Sequence, residues 1–217
     1  MGWTGDTAVE AYDGTVYRMQ NLKKGLVLKG RSGPVVVECL VKTVLDSEAY
    51  NAANCDPLCQ VVEFAFDRNS GKNDETQEIK VSTQPHACGH MYNPVMVISK
   101  WAKNSWIWTQ MQTVSNQPFV NKYLVTYDIV LKEHHRHIPI SVFRDVYIPS
   151  LGHGIVDDVI CHPYFGSTQI IKDIQVEPAY HSEGLVVLQG KHYVRDDETG
   201  TVQSVVGKNA TAPCVLA

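Results

Sequence analysis

Apolar residues along this chain arrive in short bursts separated by polar turns, rather than at helical spacing. Thr7 to Ala11, Leu26 to Leu28, Val35 to Val44, Val61 to Phe66, Val95 to Ile98, Tyr123 to Leu131 and Val142 to Ile148 each read as strands. So do Leu185 to Leu188, His192 to Arg195 and Thr201 to Val206. These runs carry the β-branched and aromatic side chains that pack on a pleated surface. Val35 to Val44 and Tyr123 to Leu131 are the strongest of them. Tyr17 to Leu22 fits a short strand or a turn. Asp13-Gly14 and Gly30-Arg31-Ser32-Gly33-Pro34 punctuate the early strands as turns. Residues 67–78 are charged and rich in Gly and Asn, which predicts an exposed hairpin loop. One segment, Ser167 to Ile174, predicts a short helix started by Ser167 or Thr168. Trp101, Trp106 and Trp108 follow one another closely and are expected to build core or to cover a sheet edge. The pattern predicts a mostly β fold with a small helical excursion near 165–175. It forms one domain over residues 1–206, followed by a tail at 207–217.

Composition narrows the classes. In 217 residues, 44% are apolar and 19% charged, which excludes global disorder and supplies a well-buried core. A formal net charge of -4 argues against a nucleic-acid partner. No run approaches the length of a membrane span. The opening MGWTGDTAVEAYDG lacks the basic and apolar regions of a signal peptide. Six Cys are too few for a disulfide scaffold, so reduced thiols and an intracellular, cytoplasmic setting are expected. A monomer is expected.

Candidate chemistry rests on hydroxyl and imidazole groups. There is no Gly-rich nucleotide loop and no G-x-S-x-G elbow. His134, His135 and His137 crowd one basic turn and read as solvated. His86 and His90 are four apart, but Gly and Pro neighbours break any helix that would align them, so no metal or other cofactor is expected. Thr83-Gln84-Pro85-His86 places a hydroxyl and an imidazole in one short turn. His153 stands between Gly152 and Gly154, where the backbone can approach another group closely. Such a His acts as a general acid or base, or as a structural hydrogen-bond partner. No nucleophile occupies an obvious position.

Four stretches together carry a resemblance. Gly2-Trp3-Thr4-Gly5-Asp6-Thr7 looks like an opening Cys-Phe-x-Gly-Asp-Thr. Asn93-Pro94-Val95-Met96, with Trp101 beyond it, looks like a His-Pro-Val/Ile strand. Tyr127 to Leu131 resembles a late Tyr-Asn-Phe-x-Leu strand. Leu151-Gly152-His153-Gly154 leads into His162-Pro163-Tyr164-Phe165-Gly166, the most specific signature, and Arg195 to Gly200 also fits. In this order they resemble a Hint module, the self-processing fold of inteins and Hedgehog C-terminal domains. The nearest subgroup is Vint, found in von Willebrand A-containing proteins. The resemblance spans residues 2–206.

The resemblance implies a horseshoe of short strands and an N-to-S acyl shift. In the family a first-position Cys attacks the preceding peptide carbonyl, a Thr-x-x-His block polarises that amide, and a later His or Asp assists. The acceptor is then water or another nucleophile, and the partner is the chain's own upstream segment. Here Gly2 stands at the nucleophile position. The second block has two registers: His90 and Asn93 in the Thr and His places, which keeps Pro94, Val95 and Trp101 aligned, or Thr83 and His86. Asp128 and His153 match the later assisting groups. Glycine cannot form a thioester, so this chain is expected not to perform the first shift. The alternative is a non-catalytic protein-interaction domain on the same scaffold.

Overall fold

The computed structural model describes residues 2–45, 60–64, 87–90, 93–99, 105–114, 121–122, 125–143 and 146–206. The first strands are β1 (Ala8–Glu10), β2 (Val16–Arg18), β3 (Val27–Gly30) and the long β4 (Gly33–Val44). β5 (Gln60–Phe64), β6 (Ala87–His90), β7 (Pro94–Ser99) and β8 (Ser105–Gln110) follow, then the single turn α1 (Met111–Val114). Next come β9 (Asn121–Lys122), β10 (Val125–Leu131), β11 (Ile140–Phe143) and β12 (Val146–Ile148). Two helices, α2 (Thr168–Gln175) and α3 (Pro178–Ser182), precede β13 (Leu185–Gln189), β14 (Tyr193–Arg195) and β15 (Val202–Val205). The chain is mostly β, as its pattern predicts.

The main sheet runs β10-β4-β3-β11-β12-β7-β8, with β13 added parallel to β4. β1 and β2 form a small ribbon, β14 and β15 another, and β5 lies between β6 and β9. Among the described residues no helix is long and apolar enough to cross a membrane.

Two local readings differ from the pattern, and a third, left between two outcomes, is decided. Val142 to Ile148 is a hairpin of β11 and β12 rather than one strand, because Arg144-Asp145 interrupts the apolar run. The turn before β4 closes at Arg31–Ser32, so Pro34 sits inside the strand, opposite Lys29. Trp106 and Trp108 belong to β8, the last strand of the sheet order, and are half-buried there, so they cover an edge instead of building core. The expected helix is present, and Ser167 caps it by accepting from the Gln169 N–H at 3.2 Å.

The pair β4–β10 divides the interior. Side chains alternate across a strand, so Ile129 and Leu131 of β10 and Leu40 of β4 face one apolar cluster, with Trp3, Val9, Leu28 and Ile148. Val130, Cys39 and Val41 face a second, with Leu151, Phe165, Ile170, Ile171 and Ile174. A register shift at Val130/Leu131 leaves Leu131 opposite Val37, which lets Val37 and Leu40 share a face despite their odd spacing. The α2 isoleucines at i, i+1 and i+4 form one stripe, each stabilising the fold by roughly 1.5–3 kcal/mol through burial. Thr126 and Asp128 continue the second face beyond Val130, and Thr43 continues it beyond Val41. Strand alternation therefore sets three polar side chains where the second apolar cluster ends.

Candidate functional site

The N-terminal arm docks on the edge of β10 that faces away from β4. Trp3 N–H donates to Tyr127 O at 2.9 Å, and Tyr127 N–H donates to Trp3 O at 2.7 Å. Two residues along the same edge, Leu151 N–H donates to Ile129 O at 2.8 Å. The start of the chain and the segment carrying His153 are thus successive occupants of one strand edge. The turn after Trp3 fixes this docking. Thr4 donates through its hydroxyl to Asp6, Thr7 N–H donates to Thr4 O at 3.1 Å, and Gln20 N–H donates to Gly5 O at 3.0 Å.

Trp3 turns its ring into the first cluster, so position 2 faces the opposite side, toward Thr126. Gly2 is buried. A Cβ there would lie 2.6 Å from Thr126 Oγ1 and 2.7 Å from Thr126 Cβ. The space a side chain needs is occupied by Thr126. Asn93 reaches the same residue: its Nδ2 donates to Gly2 O at 2.7 Å. A carbonyl can only accept, so this bond fixes which way the amide points. Asn93 is 1% exposed and its buried Oδ1 has no partner among the described residues. Its backbone is pinned in turn, because Met111 N–H donates to Asn93 O at 2.9 Å.

Asp128 is buried on the Thr126 face, and loss of hydration pushes its carboxyl above the usual range. Tyr193, whose hydroxyl bonds Thr43 Oγ1 at 2.8 Å, is raised by burial and further by the charge of Asp128.

His153 is 2% exposed, and burial lowers it to about 4. Its Nδ1 accepts from the Ile155 N–H at 3.0 Å, while its buried Nε2 has no partner among the described residues. His162 is also lowered to about 4, by burial first and further by His153. Its Nδ1 accepts from the N–H groups of Tyr164 and Phe165 at 3.1 Å each. Gly152 N–H donates to Phe165 O at 2.8 Å and Gly154 N–H to Gly166 O at 2.9 Å, which ties the two His-bearing loops together. Both flanking glycines have positive φ, 66° and 64°, so this turn needs residues without a Cβ.

Of the residues singled out from sequence, Gly2 and Asn93 are in direct contact, Asp128 lies on the adjoining strand face, and His153 lies on the next segment of the same edge. His90 sits in β6 opposite Val61. Thr83 and His86 lie outside the described residues. Thr126, Thr43 and Tyr193 carry no motif signal. His162 stands within the His-Pro-Tyr-Phe-Gly signature, which by itself points to no chemical role. His135, read as solvated, accepts from the Val36 N–H at 3.1 Å and anchors its turn to β4. Among the described residues no group of three His, Cys, Asp or Glu is arranged to hold a metal ion.

Among curated proteins, nothing matches the chain. The family model described as Vint, Hint-domain, matches residues 77–204, more than half of the chain. That stretch includes Asn93, Asp128, His153 and His162; Gly2 lies before it. With an ordered motif set, a mostly β fold and this match in agreement, the chain belongs to the Vint family of Hint domains.

Proposed function

We propose that this chain is an autoprocessing module in which the peptide junction at position 2 is still held, while the side-chain route of the first acyl shift is closed. One observation carries the reading: a buried Gly2 whose carbonyl is held by Asn93 and whose side-chain space is filled by Thr126. In the complete reaction a thiol at position 2 would attack the carbonyl carbon of the residue before it. The S–C bond forms, the C–N bond breaks, and the thiol proton passes to the departing amine. Asn93, through Nδ2, holds the carbonyl of position 2 in place for that step. Asp128, biased toward its protonated form, is suited to deliver a proton to the amine.

The test is Gly2→Cys combined with Thr126→Gly, behind an upstream segment. The expected result is cleavage before position 2 and capture of the acyl group by added thiol. A folded double variant that neither cleaves nor transfers would overturn the reading. The filled space at Thr126 also favours a second reading, a non-catalytic protein-interaction domain. Partner capture by the unaltered chain, together with an inert double variant, would support it.

A further inference from the structure

The main sheet has a second face, turned away from the first apolar cluster. Ile140 of β11, Ile148 of β12 and Val95 of β7 point into that cluster, so Pro139, Tyr147 and Met96 point the other way. Ile98 and its cross-strand partner Trp106 share this outer face, where Ile98 is 46% exposed. Arg31 reaches the same place from the end of β3. Its N–H donates to Pro139 O at 2.9 Å, and its guanidinium carbon lies 5.3 Å from the centre of the Trp106 ring. The Trp106 ring in turn meets Tyr147 edge-on, with centroids 5.1 Å apart and planes at 74°. These side chains line a groove of about 540 Å³, and Ser32 and His137 stand exposed on its wall.

The charges around this groove are unbalanced. Among the described residues, carboxylates pair with Lys24 and Lys29 and none with Arg31. The Arg31 side chain also makes no hydrogen bond among them. No Asp or Glu is among the described residues lining the groove. Glu10, on the same face, is already held by Lys29 at 2.8 Å and by Ser141 at 2.7 Å. The groove therefore sets an unpaired cation, fixed over an indole ring, beside apolar surface. We propose that it binds an acidic peptide segment of another protein. Arg31 takes a carboxylate of that segment, and the neighbouring apolar side chain packs on Trp106, Tyr147 and Ile98. A planar guanidinium matches a planar carboxylate, and one cation balances its single charge, whereas a phosphate of nearly two charges calls for a cluster of cations. The site uses none of the residues around Gly2, so it stands whether or not position 2 is processed.

The test titrates the ¹⁵N-labelled full chain with the capped peptide Gly-Pro-Phe-Glu-Gly and follows the Trp106 indole and Arg31 Nε–H signals. Both should shift and saturate together. The same peptide with Gln in place of Glu should bind about 10-fold or more weaker, as should the Glu peptide to Arg31→Gln. Trp106→Leu, which removes the ring beneath the guanidinium, should also weaken binding. Arg31 is exposed, so its variant should keep the parent's urea midpoint; were it to misfold, the Glu and Gln peptides on the unaltered chain still decide. No saturable shift, equal affinity for the two peptides, or undiminished binding to a folded Arg31→Gln would overturn the proposal. So would tighter binding of a phosphoserine peptide of the same sequence, which would assign the groove to phosphate. Self-association of the unaltered chain in sedimentation, abolished by Arg31→Gln, would place a second copy in the groove and overturn it as well.

Discussion

Gly2→Ala probes the crowding at position 2 with a single methyl group. The new Cβ would stand 2.6 Å from Thr126 Oγ1 and 2.7 Å from Thr126 Cβ. Rotating the threonine moves the first atom but not the second, because Thr126 is held in β10 opposite Thr43. Two effects oppose each other. Restricting the unfolded chain favours alanine by about 0.4–1 kcal/mol. Overpacking a filled site costs about 1–3 kcal/mol. The overpacking wins, leaving a net loss of about 1–2 kcal/mol. For a chain of this size that corresponds to a fall of roughly 2–8 °C in Tm. Thr126→Gly removes both close atoms, so Gly2→Ala should be nearly neutral in that background. The coupling between the two sites is then about 1–2 kcal/mol. Urea unfolding of the parent, both single variants and the double, followed by tryptophan fluorescence, measures it. A neutral or stabilising Gly2→Ala, or the same cost in both backgrounds, would refute the reasoning. The same crowding is why Gly2→Cys alone is expected to be a poor test of activity.

The remaining predictions concern the buried polar groups. Asn93→Ala strips the donor from the buried Gly2 carbonyl and should cost about 1–3 kcal/mol, with faster hydrogen exchange at the Trp3 amide; an unchanged Trp3 exchange rate would show the bond is idle. Asp128 has a raised folded pKa, so its contribution is greatest below the unfolded carboxylate range and is lost as pH rises through the folded value. Asp128→Asn should therefore flatten that fall and raise the urea midpoint at neutral pH; a parent midpoint that does not decline with pH there would count against a buried carboxyl. His153 and His162 work in the opposite sense. Both are lowered to about 4, so their contribution is present above the unfolded value near 6.5 and is lost as pH falls toward 4. His153→Asn should weaken this acid loss, measured by the urea midpoint across that window.

Much of the fold was legible because strands announce themselves locally. Val35 to Val44 and Tyr123 to Leu131 carry enough β-branched residues to form strands whatever they pair with, and Ser167 caps α2. What was not legible was pairing. The two halves of the Val142 to Ile148 run look alike as sequence, and only their antiparallel pairing shows two strands. Likewise α3 is a single turn, too short to show a helical period, and Pro178 at its start was its only signal.

The site divides along the same line. The sequence by itself determined that position 2 has no nucleophile, because a missing side chain is a chemical fact independent of folding. It also determined which blocks stand in which order, and through them the family. Tertiary structure alone decided that Asn93 holds the Gly2 carbonyl, 91 positions away, and that Thr126 fills the space beside Gly2. It alone decided that His153 has its Nδ1 lone pair committed to the Ile155 N–H. Contacts of this kind depend on which strand edge two distant segments share, and burial sets which protons they keep. Neither quantity is written at any single position of the chain.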